Sequence, residues 1–137
     1  MIEIDVVDYL NDDAPLDALL SVIAGDSKIY PIQKPQSGNI PYIVYTVIDE
    51  GTTDENLLYM TIAFECVDDS YDDVIQITNR LYELLDSQDS ASNLIPSTNY
   101  YIYWDKVISG NEIKDTEFNY FHKTLNVRFI YHRKVRW

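Results

Sequence analysis

The 137-residue chain has one cysteine, Cys66, so it has no internal disulfide to lean on. Cys66 lies in an apolar, strand-like run, where a reduced thiol packs as a small hydrophobe and points to a reducing compartment. Only four glycines occur, which leaves few places where backbone can wrap a phosphate. Gly-x-Ser-x-Gly, Cys-x-x-Cys, phosphate-cradling glycine loops and the dinucleotide fingerprint are all missing. The two histidines, His122 and His132, are ten apart on an expected strand, roughly 33 Å at strand rise, too far to share a metal. Nothing in the sequence supplies them with further ligands or an orienting carboxylate, so they read as strand histidines. No apolar run approaches bilayer length, and the start Met-Ile-Glu-Ile-Asp-Val-Val lacks the basic region of a secretion signal, so neither membrane insertion nor secretion is expected. Basic residues are scarce as well: 10 Lys and Arg against 23 Asp and Glu give a net charge of −13. A field that acidic repels a phosphate backbone, which disfavours specific nucleic-acid binding. Acids this abundant also make any chosen carboxylate pair uninformative about glycoside chemistry. No catalytic centre, metal or cofactor is expected.

The charge is unevenly placed. All 23 acids precede Phe118, so the first 117 residues carry −18 and the last 20 carry +5, from Lys123, Arg128, Arg133, Lys134 and Arg136. Such a basic end is either a solvated strand terminus or a surface that meets the acidic flank of an identical copy, as a head-to-tail ring would require. On the second reading Arg128, Arg133, Lys134 and Arg136 form a subunit interface. Ring formation should then weaken with salt, because exposed charges are screened over about 10 Å at 0.1 M.

The stretch that organises the fold is Asp69 to Leu85. Val74, Ile77, Leu81, Leu84 and Leu85 fall on one stripe of a 3.6-residue period, opposite Asp72, Asp73, Gln76, Asn79, Arg80 and Glu83. Ser70 is placed to cap the first turn, with acids at the positive end of the helix dipole. Asp68, Ser70 and Asp72 alternate as calcium ligands do, but Asp73 and Asn79 stand where a calcium loop needs glycine and a bidentate glutamate. Capping explains the cluster better. Upstream, Ile2, Val6, Tyr9 and Leu10 suit a short helix that Asn11 to Pro15 interrupts. Asp13 looks like the N-cap of a second piece carrying Leu16, Leu19, Leu20 and Ile23, with Gly25 placed to end it.

Strand-like runs supply the surface these helices cover. Tyr42 to Ile48 is apolar on both parities, as for a strand covered on two sides or one whose second face meets a neighbouring subunit. In Leu57 to Val67 the alternation is cleaner. Between the two, Asp49 to Asn56 reads as a long polar hairpin loop holding Asp49, Glu50, Asp54 and Glu55, either functional or merely mobile. Asp86 to Thr98 reads as a crossover loop. Tyr100 to Ile108 and Phe118 to Tyr131 form the last strand pair, with a turn near Ser109-Gly110-Asn111-Glu112. The expected plan is one α+β domain over 1–137: a helical part at about 2–24, kinked or in two pieces, a mainly antiparallel sheet of four to five strands from about 28–67 and 99–132, and a central helix at about 70–86. The twelve tyrosines suit amphipathic sheet positions and also a protein–protein interface.

The order of motifs resembles the tail completion, or tail terminator, proteins of long-tailed bacteriophages. The resemblance rests on Leu19-Leu20 with Gly25, Lys28-Ile29-Tyr30-Pro31, Pro41-Tyr42-Ile43-Val44-Tyr45, the acid-started helix from Tyr71 to Leu85, and a last strand ending Phe129-Ile130-Tyr131. Arg128 stands where that family often has an arginine, although its loops usually hold more glycine. The resemblance implies a subunit of a hexameric ring that caps the tail tube, stops its growth and joins the tail to the head–neck proteins. It implies a place at the head–tail junction of a virion, after assembly in host cytoplasm, with no catalysis and no cofactor. Its partners would be further copies of itself, the tail-tube protein and the neck connectors. Within that reading Asp49, Glu50, Asp54 and Glu55 face the tube or the DNA channel, where acids keep passing DNA from sticking; unchanged particle yield with all four neutralised would remove that role. The competing expectations are another head–tail connector, such as a head completion or stopper protein, and an acidic inhibitor that mimics DNA.

Overall fold

The stripe of residues 71–85 forms α3 (Tyr71–Leu85), and its inward side is shut off from solvent: Val74, Ile77, Leu81 and Leu85 are all buried. At roughly 1.5–3 kcal/mol for each large apolar side chain removed from water, this one face supplies several kcal/mol of gross stabilisation. The helix begins where the sequence places its cap, with the backbone N–H of Asp73 donating to Ser70 Oγ. The computed structural model describes residues 2–20, 28–31, 40–53, 57–86, 95–115 and 119–134.

The N-terminal helical part is two helices, α1 (Ile2–Asn11) and α2 (Ala14–Leu20). Asp13 separates them and caps the second: the Leu16 N–H donates to Asp13 Oδ2 at 2.9 Å. Ile2, Val6 and Leu10 of α1 and Leu16 and Leu20 of α2 are buried. Ile23 and Gly25 lie outside the described residues.

The five strands are β1 (Ile29–Pro31), β2 (Tyr42–Thr52), β3 (Leu58–Asp68), β4 (Tyr100–Asp115) and β5 (Tyr120–Arg133), in the order β1-β2-β3-β5-β4. β1 runs parallel to β2 and every other pair is antiparallel. Alternation decides which side each residue faces. Ile43, Met60, Ile62, Phe64, Cys66, Leu125, Val127, Phe129 and Tyr131 join the three helices in one core, and among the described residues the other face of the sheet carries no helix.

Two strands run further than their sequence suggests. Asp49 and Glu50, expected in a loop, are strand residues paired with Thr61 and Met60, and the connection narrows to Thr53, whose N–H donates to the Leu57 carbonyl at 2.7 Å. Gly51 lets this end of β2 form, since a Cβ there would fall within 2.7–2.9 Å of the Tyr59 ring and hydroxyl. Asp54 and Glu55 lie outside the described residues. In the same way Ser109 to Glu112, expected as a turn, continue β4. Gly110 fits the close approach of the Thr124 carbonyl, which a Cβ would meet at 3.2 Å, and Asn126 Nδ2 donates to Ser109 Oγ at 2.8 Å. Cross-strand partners outweigh the poor strand propensity of Asp, Gly and Asn at both places.

Candidate functional site

Among the described residues no helix covers the second face of the sheet. Register places Asp49, Thr61, Arg128 and Lys106 in one row across that face. Arg128 Nε donates to Thr61 Oγ1 at 3.3 Å, its guanidinium lies 5.4 Å from the centre of the Tyr59 ring, and Nη2 stands 3.6 Å from Asp49 Oδ2. The acidic residues assigned to the channel and the basic residues assigned to the interface are therefore not separate surfaces, since one of each meets here within a single chain. Both side chains remain open to water, so this ion pair contributes at most about 1 kcal/mol.

The other expected site residues are dispersed. Glu50 is on the opposite parity, and its charge adds to burial in raising the Tyr131 phenol above its ordinary range. Arg133 is exposed, while Lys134 Nζ donates to the Ser97 carbonyl at 2.8 Å and lies 5.0 Å from the Tyr101 ring. Arg136 lies outside the described residues. Of the four acids, Asp49 and Glu50 are therefore strand residues on opposite faces and not loop residues, while Asp54 and Glu55 lie outside the described residues.

His122 has the carboxylate that its sequence neighbours do not reveal: Nδ1 sits 3.1 Å from Glu65 Oε1, supplied across β3. His132 stacks on Tyr101, with ring centres 5.8 Å apart. No group of three potential metal ligands occurs among the described residues. A half-open pocket of about 240 Å³ lies between the start of α3 and the β4–β5 pair, lined by Tyr71, Val74, Glu112, Phe121 and His122 among others. Within it Lys123 Nζ is 3.1 Å from Glu112 Oε1, the Tyr71 hydroxyl donates to the same carboxylate, and Lys114 Nζ lies 5.3 Å from the centre of the Phe121 ring. A second hollow, between α1 and residues 96–98, is lined by Asp5, Asp8 and Asp12, with Ser97 Oγ donating to Asp5 at 2.7 Å. Neither hollow has the nucleophile, base and orienting group in mutual reach that acid–base or covalent catalysis needs.

Two titratable groups are displaced by burial. The Cys66 thiol, fully enclosed, is pushed up to about 12 and packs as a hydrophobe. Asp68 is pushed up to about 6, chiefly by burial, and accepts the Asp69 N–H at 2.8 Å. Between its ordinary carboxylate value and about 6 the folded chain holds the Asp68 proton more than the unfolded chain does. Asp68 therefore makes the fold more stable as pH falls from about 6 towards 4 and less stable as pH rises through that window. Asp68→Asn should gain stability at neutral pH and lose that slope, which urea unfolding at pH 4.5 and 7 would show; an unchanged slope would contradict it.

Among the described residues, no further strand pairs with the outer sides of β4 and of β2 beyond Tyr45. β4 is the last strand on one side, and beyond Tyr45 the other side is formed by β2, because β1 pairs only with residues 43–45. Exposed isoleucines mark both: Ile48 is 53 % exposed and Ile108 44 %. The sequence places both at the ends of strand-like runs, Tyr42 to Ile48 and Tyr100 to Ile108, and does not reveal the bulges there. The signal was present in Lys106-Val107-Ile108, where the alternation slips, but a bulge and a strand end look alike without a register.

No protein-family model and no curated protein matches the chain. Among solved structures, a chain of the virion of a native gene transfer agent particle superposes with a TM-score of 0.68 over 94 % of this chain and 92 % of that one, at 13 % identity. At that identity the likeness is one of fold, and it runs nearly the whole length of both chains.

Proposed function

We propose that this chain is a structural subunit of a phage-type virion, and within that class a tail terminator that forms a ring on the end of the tail tube, stops its growth and joins it to the head–neck proteins. The observation that carries the first part is the near full-length likeness to a gene transfer agent virion chain. The second part rests on the motif order, from Lys28-Ile29-Tyr30-Pro31 to Phe129-Ile130-Tyr131, now placed on β1, β2, α3 and β5 of one α+β domain. Such a protein works by contact alone. Its requirements are rigid surfaces, a helix-free sheet face and edges that a neighbour can use.

Purified tails mixed with the protein and imaged in negative stain should show a plug of density at one end of the tube. Bare tail ends, or density on head portals in place of tails, would overturn the tail-terminator assignment, and the second result would make the chain a head-side connector.

A further inference from the structure

We draw no further inference here: the strongest candidate, the half-open pocket between the start of α3 and the β4–β5 pair, where Lys114 lies over the Phe121 ring, carries nothing, because residues 116–118 beside it lie outside the described residues and nothing in the structure shows what covers it.

Discussion

Phe129→Ala is expected to lower the stability of the fold by about 3–5 kcal/mol, a large share of what a domain this size has to spare. Phe129 lies at the centre of β5, fully buried, between Met60 on β3 and Asp105 on β4. Removing its ring takes away the transfer free energy of the side chain and leaves a cavity that the surrounding strands fill only in part. The matching control is Ile108→Ala, on an exposed bulge, which should stay within about 0.5 kcal/mol of the parent monomer. Urea midpoints for the three proteins decide the matter: a loss at Phe129 no larger than at Ile108 would mean that this parity of β5 does not face the core.

Asp13→Ala should cost about 2–3 kcal/mol through two separate losses. One carboxylate ties α2 to α3. It caps α2, and it takes Arg80 of α3 in a two-point grip, Nε to Oδ2 at 2.9 Å and Nη2 to Oδ1 at 2.6 Å. The cap is worth about 1 kcal/mol, and the charged hydrogen bonds supply the rest because Arg80 is left without this partner. The Arg80 hydrogen bond, joined by that of the Leu16 N–H, holds the Asp13 carboxyl below its ordinary range. With the folded value depressed, this contribution is fully present above the ordinary carboxylate pKa and fades as pH falls through the lower folded one. Asp13→Asn keeps an oxygen for the cap and loses the charge, so it should fall between parent and alanine and flatten the acid limb of the unfolding curve. Equal stability of all three proteins at pH 7 would contradict the tie.

What was legible in the sequence is what local pattern dictates. The stripe and cap of α3, the break at Asp13 and the alternation of β3 and β5 all depend on neighbours within a few residues, and each is found where it is expected. What was not legible depends on distant partners. The ends of β2 and β4 contain Asp, Glu, Gly and Asn, residues that seldom start a strand, and they are held by ladders whose other halves lie elsewhere in the chain. Bulges at Ile48 and Ile108 then reset the alternation, which puts Asp49 and Ser109 on the helix-free face. The grip of Arg80 on Asp13 spans 67 residues, and that of Arg128 on Asp49 crosses two strand pairs, so no window along the sequence holds both members.

The same geometry bears on the basic end of the chain. Arg128 is partly held by its own Asp49, and Lys134 by the Ser97 carbonyl and the Tyr101 ring.

The central claim is that this chain ends the growth of a tail tube, and tail length in its absence is the most direct test. Particles assembled from a genome in which this chain is deleted should carry tubes that overrun the normal length and stay unjoined to heads, and supplying the chain in trans should restore both length and joining. Tubes of normal length, attached to filled heads in the absence of the chain, would contradict it.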